Sequence, residues 1–135
     1  MANWLLKTEP DVYSFDDLVK DKKTVWDGVR NNTALVHMRN VRKGDLALIY
    51  HTGSERQITG IAKITSDPYP DPTAENPRFV VFDLKPVKKL KSPVTLQSIK
   101  GDKRFADFPL VRISRLSAMP VTDDLWETII RMSGA

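Results

Sequence analysis

The sequence predicts an α+β fold: a small β-barrel of about five to six strands, mixed or antiparallel in pairing and decorated by short helices. Strand-like runs occupy the middle of the chain, and helix-capping signals lie near both ends and in the connections. No repeat or linker divides the chain. Its 135 residues, 41% of them hydrophobic, suffice for one buried core, so 1–135 is predicted to be one domain.

The first 40 residues are predicted to contain one strand and two helices. An apolar run at 4–6 ends before Pro10, because proline removes a ladder donor and restricts the residue before it. Ser14 is predicted to cap a helix of about two turns with acidic residues in its first turn. Either Asn31 or Asn32 can cap a second helix that ends near residue 39.

The middle of the chain is predicted to form the sheet. Residues 46–51 and 57–64 are predicted to pair as an antiparallel hairpin, because a glycine-bearing loop separates them. Three prolines prevent a regular ladder over 67–72, which is predicted to be an irregular loop. A long strand is predicted over about 78–90, where Pro86 indicates an edge or a bulge.

Two more helices are predicted toward the end of the chain. Residues 95–100 favour a short helix. Thr122 is predicted to cap the last one, which ends at Ser133 and Gly134. Its continuous apolar face consists of Leu125, Trp126, Ile129 and Ile130.

Composition excludes several kinds of site. Without cysteine there is no disulfide framework, thiolate zinc site or cysteine nucleophile, which fits a reducing compartment. The chain begins without a basic leader, and no apolar run approaches the roughly 20 residues that a membrane helix needs. We expect a cytoplasmic protein (nuclear if the source is eukaryotic) that acts as a monomer without membrane, metal or cofactor.

The positive charge is concentrated in one segment. Residues 78–104 hold eight basic and two acidic residues, a net charge of +6, so the rest of the chain sums to −2 within the total of +4. Such clustering attracts polyanions, because neutralised phosphates release counterions. A solvated strand and loop explains the same pattern equally well.

Six blocks in fixed order resemble a known family. They are WLLKTEP (4–10), WDGVRN (26–31), KGD with YH (43–45, 50–51), ITGIA (58–62), YPDPT (69–73) and RLSAMPVT (115–122). These blocks resemble the EVE domain over nearly the whole chain. The resemblance implies a PUA-like barrel related to YTH domains, whose members bind RNA or DNA, often with one base held in a pocket. It therefore implies a non-catalytic module that recognises a modified base in an aromatic pocket.

Trp26 is the first candidate for the pocket. The resemblance matches it to the cage tryptophan of YTH domains, and a ring beside Gly28 can present a flat face to a base. Burial in the core is the alternative. Asp27 and Asn31 are candidates for hydrogen bonds to the polar edge of the base, although Asn31 can equally cap a helix.

Further candidates surround this position. Lys7, Thr8 and Glu9 end a buried strand, so they can point into a barrel mouth instead of continuing a ladder. Tyr50 can form a second wall, and His51 can hydrogen-bond the ligand, although a lone histidine often has a structural role. Arg30, Arg115 and Ser117 are candidates for phosphate or sugar contacts, and Tyr69 for a lid. The ring of Trp26 is expected to be accessible at a rim shared with 7–9 and 50–51, whereas Trp4 and Trp126 are predicted to be core.

Three other functions remain open at this point. The barrel can bind structured or unmodified RNA, with the basic segment along the phosphates. It can also be a protein-interaction module, since fold does not determine function. A small hydrolase would use His51 with Glu9 or Asp27, but the sequence has only one other histidine and none of the strong catalytic motifs.

Overall fold

The structure, a computed structural model, describes residues 2–134, so Met1 and Ala135 of the predicted domain lie outside the described residues. The strands are β1 (Asn3–Thr8), β2 (Thr24–Trp26), β3 (Leu46–His51), β4 (Gln57–Ile64), β5 (Tyr69–Pro70), β6 (Val80–Thr95) and β7 (Ala118–Val121). The helices are α1 (Phe15–Asp21), α2 (Asn32–Asn40), α3 (Leu96–Lys100), α4 (Pro109–Arg112) and α5 (Asp123–Met132), with a 3₁₀ turn at Lys103–Phe105.

The strands form one curled sheet, a half-barrel with the order β2-β6-β4-β3-β1-β7 and with β5 paired to β6 beside this path. β1 and β3 are parallel, and the other pairs are antiparallel. The predicted hairpin is confirmed as β3 and β4. The described chain has seven strands, one more than the upper end of the predicted range.

Side-chain caps begin the helices where the sequence predicts them. Ser14 forms a capping box with Asp17 at α1. The Asn31 side chain accepts a hydrogen bond from the Ala34 amide at α2, so the cap is Asn31 and not Asn32. Thr122 caps α5 in the same way. Each cap marks the residue at which a loop ends and a helix begins.

Part of the sheet differs from the prediction. β6 continues to Thr95, well past the predicted end near residue 90, with a register shift beside Pro86, which therefore marks a bulge. β5 lies inside the loop predicted to be irregular, where Tyr69 and Pro70 pair with β6. β2 and β7 are absent from the prediction because neither has a readable period: one has three residues and the other contains Pro120.

The core lies between the sheet and the helices. Phe15 at the start of α1 is fully buried against β4 at Gly60, where an added Cβ would lie 2.4 Å from the Phe15 ring. Trp4 is buried and donates its indole N–H to Asp45, as expected for a core residue. Trp126 is partly buried and packs against the core. Between residues 2 and 134, no helix is long and apolar enough to cross a membrane.

Candidate functional site

A pocket of about 540 Å³ opens at one mouth of the half-barrel, between the end of β1, the turn after it and strand β2. We call it the mouth pocket. It brings together two segments that the sequence predicts as binding segments, 7–9 and 26–30. Its full lining is Lys7, Thr8, Glu9, Val12, Tyr13, Thr24, Val25, Trp26, Asp27, Gly28, Val29, Arg30 and Ser117.

A tight turn after β1 builds one wall. The carbonyl of Glu9 accepts hydrogen bonds from the amides of Val12 (3.0 Å) and Tyr13 (2.8 Å). The hydroxyl of Thr8 donates to the carbonyl of Tyr13 at 2.7 Å, which closes the turn. The chain therefore folds back at the end of β1, because Pro10 cannot continue the ladder. This places Val12 and Tyr13 in the pocket lining.

Strand β2 and the loop after it build the opposite wall. Residues 24–26 pair with 82–84 of β6, with Trp26 opposite Phe82. Gly28 has a φ of +79° with nothing near its missing Cβ, so glycine permits the turn that follows β2. The amide of Lys7 donates to the carbonyl of Ser117 at 2.9 Å, which brings the segment before β7 to the same opening.

Trp26 belongs to the lining of this pocket. The sequence predicts a ring accessible at the rim, whereas the structure leaves it only 7% exposed and part of the core. Its N–H makes no hydrogen bond within residues 2–134, yet no buried side-chain nitrogen or oxygen there lacks a partner. The N–H is therefore not fully sealed from solvent, and Trp26 lines the mouth pocket. Trp4 differs, because Asp45 occupies its N–H.

The charges of the mouth pocket cancel. Lys7 and Arg30 supply two positive charges, and Glu9 and Asp27 supply two negative ones. The ammonium of Lys7 donates to the carbonyl of Ser114 at 2.8 Å, and burial lowers its pKa. A pocket without net charge suits an uncharged heterocycle with donors and acceptors better than it suits a phosphate group.

Arg30 joins the loop after β2 to the loop that precedes β6. Its guanidinium lies 4.4 Å from the ring centre of Phe79 and 4.0 Å from the carboxylate of Asp71, which is buried. The side chain and amide of Thr73 donate to Asp71 and hold its pKa below the ordinary value, with Arg30 adding to this effect. The arginine is thus held from two sides while its outer part remains exposed.

Sequence reasoning missed an apolar rim. Val12 is 75% exposed and Val25 is 45% exposed, and both line the mouth pocket. Tyr13 lies beside them and donates its hydroxyl to Asp21 at 2.8 Å, and burial raises its pKa. Exposed valines on a loop and at an edge strand have no period that marks them in a sequence. The only signal was their position next to the predicted segments.

Tyr50 and His51 do not line the mouth pocket. Tyr50 is 3% exposed and borders a separate recess, with the ammonium of Lys7 5.7 Å from its ring centre. His51 is 6% exposed: Nε2 accepts from the amide of Phe15 at 3.0 Å, and Nδ1 lies 2.9 Å from Glu55. Both ring nitrogens therefore have structural partners. The acid–base pair of the hydrolase hypothesis is not assembled, because both candidate carboxylates line the pocket that His51 does not reach.

Three other candidates also lie apart from the pocket. Asn31 uses its side-chain oxygen to cap α2, the structural alternative to base contact. Arg115 is exposed and outside the mouth pocket lining. Tyr69 donates its hydroxyl to Asp83 at 2.6 Å, which explains it as a loop anchor, and it does not cover the pocket.

The basic segment follows β6 and α3 and does not line the mouth pocket. Some of its charges are paired: Lys89 lies 3.0 Å from Asp16, and Arg104 lies 2.6 Å from Asp102. Lys100 borders the same recess as Tyr50. Any attraction of this segment for a polyanion therefore acts beside the mouth pocket.

The fold and the site define a class: a small mixed β half-barrel whose open mouth holds a pocket lined by Trp26, two basic and two acidic residues. The chain belongs to the EVE domain family, whose model matches residues 2–132. The predicted family and the PUA-like fold class are therefore confirmed.

Relatives of known structure share the whole fold. Rpa0253 from Rhodopseudomonas palustris is 44% identical, with a TM-score of 0.94 over 99% of this chain and 94% of that one. The human THYN1 protein in complex with DNA containing 5-methylcytosine is 26% identical, with a TM-score of 0.91 over 100% and 99% of the two chains. Human thymocyte nuclear protein 1 is 27% identical in sequence over 97% of this chain and 73% of its own length.

Proposed function

We propose that this protein is a non-catalytic module that holds one modified base of a nucleic acid, with DNA containing 5-methylcytosine as the first candidate. The observation that carries the proposal is the shared fold with a human relative solved in complex with such DNA. The mouth pocket supports it, because its volume of about 540 Å³ lies within the roughly 300–1,000 Å³ of small-ligand sites. It acts as a monomer, in the cytoplasm or in a eukaryotic nucleus.

The polar groups of the pocket suit the edge of a cytosine. The base presents an exocyclic amino donor next to ring and carbonyl acceptors. We assign the amino group to the carboxylate of Asp27 and an acceptor to the indole N–H of Trp26. A hydrogen bond to a charged group contributes about 1.5–3 kcal/mol and a neutral one about 0.5–1.5 kcal/mol. Together they offset the few kcal/mol that flipping a base out of its stack costs.

The apolar rim supplies the preference for a modified base. Val12 and Val25 offer methyl groups at the pocket edge, where a 5-methyl substituent can be removed from water. Burying one such carbon contributes about 0.8 kcal/mol, which corresponds to about a four-fold tighter Kd. The expected preference for the methylated base is therefore modest and depends on Val12 and Val25. The affinity for either base depends on the polar contacts assigned to Asp27 and Trp26.

The test is a titration with matched oligonucleotides. Short single and double strands that differ only in one cytosine or 5-methylcytosine are bound to the protein, and Kd is measured by fluorescence anisotropy at two salt concentrations. We expect the methylated strand to bind about four-fold tighter. Equal affinity for both would remove modified-base recognition.

A second candidate is binding of unmodified RNA, which the basic segment along β6 favours. In the same titration it predicts no effect of the methyl group and a steep loss of affinity with salt.

A further inference from the structure

A second recess adjoins the mouth pocket across the side chain of Lys7. It has a volume of about 260 Å³, and its charged lining residues are Lys7, Arg56 and Lys100. We call it the basic pocket. Lys7 lines both pockets, so a ligand group in the mouth pocket and one in the basic pocket would lie on either side of its side chain. The two pockets differ in their acidic residues: none lines the basic pocket, whereas Glu9 and Asp27 line the mouth pocket.

Within the described chain, no acidic side chain neutralises the three cations, although Lys7 donates one hydrogen bond to the carbonyl of Ser114 at 2.8 Å. None of them forms an ion pair within 4.0 Å in the part of the chain that the structure describes. Arg56 donates Nε to the carbonyl of Gly53 at 3.2 Å, and its terminal nitrogens make no hydrogen bond within 2–134. The acid next to it in sequence, Glu55, lines a neighbouring recess that Arg56 and Lys100 also border, but its carboxylate lies 2.9 Å from His51 and forms no ion pair with either cation.

A hydroxyl adds to this donor set. Tyr50 is almost fully buried, and its hydroxyl has no hydrogen-bond partner within residues 2–134. Because no buried side-chain oxygen there is left unsatisfied, the hydroxyl is not fully sealed from solvent, and Tyr50 lines the basic pocket. Burial raises the pKa of Tyr50, so the group remains a donor at neutral pH.

Size and charge together select the ligand. The volume of about 260 Å³ lies below the usual range of small-ligand sites, so it suits a compact anion better than a base with its sugar. Arginine offers a bidentate fork that matches a phosphate, and lysine a point charge. We propose that the basic pocket binds the backbone phosphate next to the base in the mouth pocket. This rests on the proposed function.

The test compares variants in which glutamine replaces basic residues. Arg56→Gln and Lys100→Gln each remove one positive charge from the basic pocket, and Lys43→Gln is the matched control. Lys43 is exposed and lies before β3, at the opposite end of that strand from Tyr50. Each variant is titrated with the cytosine and 5-methylcytosine strands over a series of salt concentrations, and the slope of log Kd against log salt is measured.

We expect the double variant Arg56→Gln/Lys100→Gln to reduce the slope by about 0.7 for single strands or 0.9 for duplex, the value for the one phosphate that the basic pocket holds, and each single variant to reduce it by part of this amount. Both strands should weaken equally, so the methylation preference is kept, because phosphate contacts carry no base information. Slopes that match those of Lys43→Gln, with the preference intact, would overturn the phosphate site and leave the proposed function standing. No binding of either strand by the unaltered protein would overturn both.

A free anion is the other source of a phosphate group. Inorganic phosphate alone is titrated and followed by the NMR shift of the Gly53 amide, which lies in the lining of the basic pocket. We expect it to bind more weakly than the oligonucleotide. Tighter binding of the free ion would overturn the assignment to a strand phosphate.

Discussion

Replacing each of the three tryptophans by phenylalanine separates binding from folding. Trp26→Ala would be ambiguous, because emptying a buried tryptophan site costs about 3–5 kcal/mol of a total stability of about 5–15 kcal/mol. Trp26→Phe keeps an aromatic ring at this position of the pocket lining and removes the indole N–H. Loss of one neutral hydrogen bond of about 0.5–1.5 kcal/mol corresponds to a two- to twelve-fold weaker Kd.

The other two substitutions are the controls. Trp126→Phe changes a tryptophan outside the mouth pocket and should leave Kd unchanged. Trp4→Phe removes the 2.9 Å hydrogen bond to Asp45, so it should lower stability by about 1.5–3 kcal/mol without changing Kd. Anisotropy with the 5-methylcytosine strand gives Kd, and urea denaturation gives the free energy of unfolding. Equal Kd values for Trp26→Phe and Trp126→Phe would refute the assigned role of the indole N–H.

Two further predictions concern the frame that holds the site. Gly60→Ala should lower the free energy of unfolding by about 1–3 kcal/mol in urea denaturation, because the new Cβ lies 2.4 Å from the Phe15 ring; Gly101→Ala, at a φ of −79°, is the control and should be near neutral. The hydrogen bond to Asp83 raises the pKa of Tyr69 to about 12, so in a spectrophotometric titration Tyr69 should ionise near pH 12. Because the pKa is raised in the folded state, Tyr69 stabilises the fold fully below pH 10, and this contribution is lost as pH rises through 12. A Tyr69 that titrates near 10 in the native protein would contradict the assigned hydrogen bond.

Local chemistry made much of the fold predictable. The Ser14, Asn31 and Thr122 caps each satisfy a helix amide that no other group reaches, so a side-chain oxygen at a helix start is a strong signal. The hairpin of β3 and β4 was equally local. The parallel pairing of β1 with β3 and the short strands β2 and β7 depend on contacts between distant segments, and these leave no period in the sequence.

In the candidate site, too, local features could be predicted and contacts between distant segments could not. Lys7 and Trp26 could be expected to meet only through the family resemblance, because 18 positions and a helix separate them. His51 stayed ambiguous in the sequence, since a histidine at a strand end can bind a ligand or hold a neighbouring loop; in the structure it holds the start of α1. The exposed valines of the rim have no sequence signal. The turn that follows β1 places Val12, and the pairing of β2 with β6 places Val25.

The most direct measurement follows the three indole N–H signals by NMR during titration with 5-methyl-2′-deoxycytidine, with assignments from the phenylalanine variants. If a base enters the mouth pocket, the Trp26 signal should shift with saturation, whereas the signals of Trp4, bonded to Asp45, and of Trp126 should stay in place. A Trp26 signal that stays fixed while the nucleoside binds would place the base elsewhere and contradict the proposed site.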